Sequence, residues 1–154
     1  MISLKRILVP LDFSEPSNKA LAYGEALAQA FGASLDVLHV VEEPAMGWAV
    51  EGYVPAPPAF RQGLVRSAEE QLGRELSRHE STKTPANKVV RLGSPFTEIV
   101  RYAKAENIDL IVMGTHGRGM IAHLLMGSVA ERVVRTAPCP VLTVRHPEHE
   151  FVIP

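Results

Sequence analysis

The sequence predicts an α/β fold: one domain built on an open five-stranded parallel sheet with helices on both faces. Strand signals and helix signals alternate from end to end, the pattern of parallel strands joined by helical crossovers. The strand-like runs are nearly unbroken in apolar character, as they must be when both faces of a sheet are covered. A chain of 154 residues also suits a single self-sufficient core, burying roughly 70% of its unfolded surface.

Ile7 to Leu11 reads as the first strand, with Asp12 at its carboxyl end. Ser14 is the natural N-cap of the next helix, and Glu15 and Pro16 suit its first turn, where a negative charge and a missing amide are both tolerated. That helix should run to about Phe31, stop at Gly32, and bury Ala20, Leu21, Leu27, Ala28 and Phe31. Leu35 to Val41 is the second strand; His39 interrupts it and reads as a core or strand-end residue with a satisfied hydrogen bond. Glu42 to Gly63, rich in proline and carrying Trp48, Tyr53 and Phe60, has neither a helical nor a strand period. Its length admits a lid over a ligand or an excursion without regular structure.

From Leu64 the apolar positions Leu64, Ala68, Leu72 and Leu76 recur every four residues, predicting an amphipathic helix to about His79. Polar Glu80 to Asn87 connects it to a short third strand, Lys88 to Leu92, after which Gly93-Ser94-Pro95 turns the chain. Phe96, Ile99, Val100 and Ala103 mark a helix ending near Asn107, and Ile108 to Met113 forms the fourth strand. Met120 to Met126 should fold down as a helical turn, Val129 to Arg135 forms the last helix, and Val141 to Arg145 the fifth strand.

Composition excludes several partners. A formal charge of −1, from 16 basic and 17 acidic residues scattered along the chain, leaves no electrostatic footprint for nucleic acid. The sequence has neither a secretory h-region nor a membrane-spanning run, so no membrane association is expected. Cys139, the single cysteine, cannot close an internal disulfide, which points to a reducing compartment and makes the cytoplasm the expected location.

The chemistry is concentrated after the fourth strand. Gly114-Thr115-His116-Gly117 is followed by nine residues and then Gly127-Ser128, which opens the last helix. Glycines at a strand end let the backbone approach a ligand closely, and the free amides of a helix start attract an anion. No lysine follows the last glycine and the spacing is too wide for a Walker A loop or a dinucleotide fingerprint. Backbone amides, the Ser128 hydroxyl and Arg118 would therefore hold a phosphate between them. The alternative is that these glycines only turn the chain from strand to helix. Ligands of such sheets bind where the winding direction reverses, which places Asp12 opposite Gly114, able to accept from a ribose hydroxyl or to help hold a metal. The alternative reading of Asp12 is a cap toward the helix at Ser14.

With this Gly-x2-Gly-x9-Gly-Ser element in place, the chain resembles the universal stress protein family over about residues 3 to 146. Supporting segments are Ile7 to Ser14, Leu38-His39-Val40-Val41, Gly93-Ser94-Pro95 and Ala137 to Val144. The resemblance implies a Rossmann-like sheet of the adenine nucleotide alpha hydrolase-like kind, with residues 1–146 as the domain, 43–63 as a variable proline-rich loop and 147–154 as a tail. Members with this loop complete look like ATP binders, so the resemblance implies an ATP-binding stress-response module, with Mg²⁺ or Mn²⁺ held through the phosphates. Carried over by position, Pro10 walls the pocket, Asp12 meets the ribose or adenine region, and Val40, or Val41 one step on, offers its backbone to the adenine edge. Met113, Gly114, Gly117 and Arg118 line the sugar and phosphates, while Gly127, Ser128 and Val129 close on the phosphate tail. Family members of this type dimerise through the last strand, here Val141 to Arg145, whose uncharged β-branched stretch Val141-Leu142-Thr143-Val144 gives a homodimer its own physical motive.

Two rival functions stand beside this one: a slow ATP hydrolase or nucleotidyl-transfer enzyme using His116 or Arg118, and a chaperone-like dimer with a vestigial site. One Arg, one His and no Lys in the loop make fast phosphoryl transfer improbable, so no catalytic residue and no protein-ligated metal are assigned. On this reading Gly114→Val abolishes ATP binding while leaving the far side of the sheet folded.

Overall fold

The computed structural model describes residues 1–43, 48–49, 52–53, 56–79, 84–116 and 126–145. Its main sheet is built from β1 (Arg6–Pro10), β2 (Ser34–Val41), β5 (Ala86–Leu92), β6 (Leu110–Gly114) and β7 (Val141–Val144). All neighbours in it are parallel, in the order β5-β2-β1-β6-β7, so the winding direction reverses between β1 and β6. The helices are α1 (Glu15–Phe31), α2 (Pro58–Arg78), α3 (Pro95–Ala105) and α4 (Ser128–Thr136).

Alternation along the strands sorts the core into two layers. Ile7, Val9, Val37 and Val112 face α1 and α2, packing with Leu21, Ala28 and Leu72. Leu8, Leu38, Ile111 and Met113 face α3 and α4, packing with Ile99, Tyr102, Ala130 and Val133. Helix α1 lies unusually close to β1, because a Cβ on Gly24 would fall inside contact distance of the Val9 Cγ2 methyl.

The ends of α1 follow the sequence closely. Ser14 caps it by accepting from the Ser17 amide, and Gly32 ends it in the left-handed region at φ 64°. Phe31 corrects the expected buried stripe: it is 47% exposed at the last residue of the helix, while Ala28 one turn earlier is buried. Helix α2 starts at Pro58, six residues before Leu64, since proline is well placed in a first helical turn and Gly63 is tolerated inside an exposed stretch. Phe60 therefore belongs to this helix, exposed in its first turn, rather than to a loop-borne lid. The region before it also contains two short antiparallel strands, β3 (Trp48–Ala49) and β4 (Gly52–Tyr53), paired Trp48 to Tyr53. Strand β5 begins at Ala86, two residues before Lys88, and pairs with β2 along its whole length. The expected turn from Met120 to Met126 falls, except for Met126, outside the described residues.

The amino edge of the sheet is fastened by charge. Asp36 on β2 is 2% exposed and accepts from Arg6 Nη2 at 2.7 Å, Tyr102 Oη at 3.0 Å and Asn87 Nδ2 at 3.3 Å. Arg6 also donates Nη1 to the carboxylate of Glu106 at 2.9 Å and to its carbonyl at 3.0 Å. Next to this network Asp109 accepts from the Lys5 and Arg6 amides, and those backbone bonds hold its carboxyl below the usual range. These strand and helix ends lie at the sheet edge opposite the expected ligand site.

Burial and the neighbouring Asp36 charge push the Tyr102 hydroxyl up from 10.0 to about 12. A raised pKa means the folded state retains the proton longer than the unfolded state. Stability should therefore be intact below pH 10.0 and fall as pH rises toward about 12. The expected loss across that window is on the order of 2 kcal/mol. Urea midpoints at pH 9 and pH 11 should separate more for the native protein than for Tyr102→Phe, and equal separations would exclude the effect.

Candidate functional site

The carboxyl rim of the sheet gathers most of the sequence-predicted residues. Pro10 is the buried last residue of β1, and Gly114 ends the neighbouring strand β6, one residue after Met113. Asp12 follows β1, half-buried, with its Oδ1 accepting from both the amide and the hydroxyl of Ser14. The capping role considered for Asp12 is thus present, and it fixes the carboxylate beside the first turn of α1.

Backbone direction distinguishes Val40 from Val41. In a parallel sheet, residues along a strand alternate between the neighbour on one side and the neighbour on the other. The Leu38 carbonyl accepts from the Leu11 amide on the β1 side, and the Val41 carbonyl accepts from the Gly93 amide on the β5 side. Val40 lies two residues beyond Leu38, so its backbone polar groups face the side from which the chain after Leu11 has turned away into α1. Its side chain packs against the α3 and α4 layer.

The turn that leaves β1 is held in a strained form. Phe13 has φ 64°, a left-handed conformation that side-chain-bearing residues rarely adopt. His39 supports it by donating Nδ1–H to the Leu11 carbonyl at 2.7 Å and by packing its ring 4.4 Å from the Phe13 ring. The satisfied strand-end role expected for His39 is the one observed. Its link to the rim was not legible, because the partner carbonyl lies 28 residues earlier.

Helix α4 is brought to the same rim by a chain of backbone bonds. The Thr115 amide donates to the Val144 carbonyl at 3.0 Å, and the Gly127 amide donates to the Thr115 carbonyl. Gly127 is the N-cap and its amide is already engaged, so the donors presented by the first turn are those of Ser128, Val129 and Ala130. Ser128 is exposed, and Val129 is half-buried against the α3 and α4 layer. Gly117 and Arg118 lie outside the described residues. His116 is 5% exposed, with Nδ1 in a 3.0 Å hydrogen bond to Thr115 Oγ1.

Gly114 has a role that the sequence did not disclose. A Cβ built on it would lie 2.9 Å from the Pro16 carbonyl carbon and 3.0 Å from the Pro16 carbonyl oxygen. Glycine here lets α1 begin directly against the end of β6, bringing the starts of α1 and α4 to one rim. Gly114→Val therefore does not act on a ligand alone: the added side chain meets the backbone of α1 on this side of the sheet.

Among the described residues no group of three His, Cys, Asp or Glu side chains could hold a metal, and no helix is long and apolar enough to cross a membrane. Burial pushes the Cys139 thiol up, which opposes a thiolate role.

A fold with this strand order, a glycine-bounded rim and a helix start aimed at it defines a Rossmann-like α/β protein. Residues 3–145 match the universal stress protein family, and the chain belongs to that family. A universal stress protein of Thermus aquaticus is 38% identical over 142 residues, covering 92% of this chain and 98% of that protein. The solved structure of a Methanocaldococcus jannaschii universal stress protein is 30% identical, covers 94% of this chain and 98% of that one, and superposes with a TM-score of 0.77. A universal stress protein from Archaeoglobus fulgidus, solved in complex with dAMP, shares the fold at 22% identity and a TM-score of 0.61, covering 94% of this chain and 99% of that one.

Proposed function

We propose that this universal stress protein is a regulatory module that binds ATP at the carboxyl rim between β1 and β6. The observation that carries the reading is the convergence of two strand ends and two helix starts there, with the first-turn amides of α4 tied to β6 through Thr115 and Gly127. Val40 offers backbone groups to the adenine edge, Asp12 the ribose contact, and Pro10 and Met113 apolar walls. Gly114, Gly117 and Arg118 border the sugar and phosphates, and Ser128 and Val129 receive the tail with Gly127 as their cap. The dAMP complex of the Archaeoglobus fulgidus relative supports the reading by placing an adenine nucleotide on a protein of this fold.

Any Mg²⁺ or Mn²⁺ would bind through the phosphates, at the rim where Asp12 follows the end of β1. Hydrolysis is at most slow on this reading, because the loop offers one Arg, one His and no Lys to a phosphoryl-transfer transition state. Leu142 on edge strand β7 and Val134 on α4 are exposed, which supports a homodimer formed along β7.

Asp12→Asn keeps an oxygen acceptor for Ser14 while removing the charge, so it tests ligand binding apart from helix capping. Calorimetric affinity for ATP should fall about tenfold with an unchanged melting temperature. Undiminished affinity would remove Asp12 from the site.

A further inference from the structure

We infer that Arg132 is a specificity-determining residue that selects nucleotides with longer phosphate chains, resting over Phe96 until such a chain arrives. This inference rests on the proposed nucleotide site and adds, from α4, a second cation to the Arg118 that the glycine loop contains. Ser128 and Arg132 are four residues apart on α4, so they share a face, and helical side chains lean toward the N-terminus. The Arg132 side chain thus runs back toward the first-turn amides that the phosphate tail would meet.

Its surroundings leave its charge uncommitted. The guanidinium carbon sits 4.0 Å from the centroid of the Phe96 ring, in the first turn of α3. Two carboxylates in these helix starts are already bound to other arginines. Glu131 pairs with Arg135 at 3.0 Å, and Glu98 pairs with Arg101 at 2.7 Å. Among the described residues, Arg132 forms no ion pair. An exposed cation over an aromatic face is weakly held, whereas a guanidinium bonded to phosphate is charge-assisted and bidentate. Exchange of the ring for a phosphate is therefore favourable and depends on how far the phosphate chain extends.

The test is calorimetry of the full-length protein with AMP, ADP and Mg-ATP, comparing the native protein with Arg132→Gln, Arg132→Lys and Phe96→Leu. Arg132→Gln should lower ATP affinity about tenfold and leave AMP affinity within about twofold, with Arg132→Lys restoring part of the difference. Phe96→Leu keeps an apolar side chain in the α3 and α4 layer and should leave ATP affinity within about twofold. Equal losses for AMP and ATP would mean that Arg132 only positions α4, and no loss for either would mean that it faces away; both overturn the inference. Failure of the native protein to bind any of the three overturns the nucleotide site itself, a result separable from a wrong assignment of Arg132.

Discussion

Gly114→Val is expected to cost at least about 3 kcal/mol of folding stability and to free the first turn of α1 from the sheet. The new Cβ would lie 2.9 Å from a backbone atom of Pro16, and a backbone atom cannot rotate aside as a side chain can. Pro16 is held by the Ser14 cap on one side, and Ala20 and Leu21 of the same helix are fully buried on the other. Relief therefore requires moving α1 as a body, at the expense of its contacts with β1 and β6. Against a typical domain stability of about 5–15 kcal/mol, this is a large fraction. Urea denaturation gives the value, and hydrogen exchange should show protection lost first at residues 15–20. A variant as stable as the native protein would mean that the helix start is not clamped. Loss of ligand binding in this variant cannot be read as a phosphate clash.

Arg6→Ala should destabilise the opposite edge by about 3 kcal/mol. Asp36 would remain buried with only the hydroxyl of Tyr102 and the amide of Asn87 to satisfy a full negative charge. Adding Asp36→Asn to Arg6→Ala should recover part of the loss, since a neutral amide is less costly to bury than an unpaired carboxylate. If the double variant is less stable than Arg6→Ala, the cost lies in packing rather than in charge. Because this network sits at the amino edge, ATP affinity of the folded variants should be unchanged.

Signals that act over a few residues were legible in the sequence. Ser14, Pro16 and Gly32 fixed both ends of α1, and the β-branched run before Gly114 fixed β6, because caps and periodicity are local. The reversal between β1 and β6 was expected from a five-stranded parallel sheet, and with it Asp12 opposite Gly114, whereas Val40 and Met113 entered only through the family resemblance. Contacts between distant segments were not legible. Asp36 is a charge inside an apolar run, which signals a buried partner, but Arg6 lies 30 residues away and Tyr102 66. The close approach of Gly114 to Pro16 likewise depends on how α1 packs against β6, and so does the strained turn at Phe13. The first turn of α2 was not legible because Glu42 to Gly63 shows no helical period, whereas Pro58 stands where a helix accepts a proline.

Crystals of the protein soaked in Mg-ATP test the central claim most directly. The account predicts density for the base beside Val40, the ribose at Asp12, and phosphates over the amides of Ser128 and Val129. ATP seated elsewhere, as in the shallow groove of α2 between Arg61, Val65 and Leu92, or a rim left empty at saturating nucleotide, would contradict it.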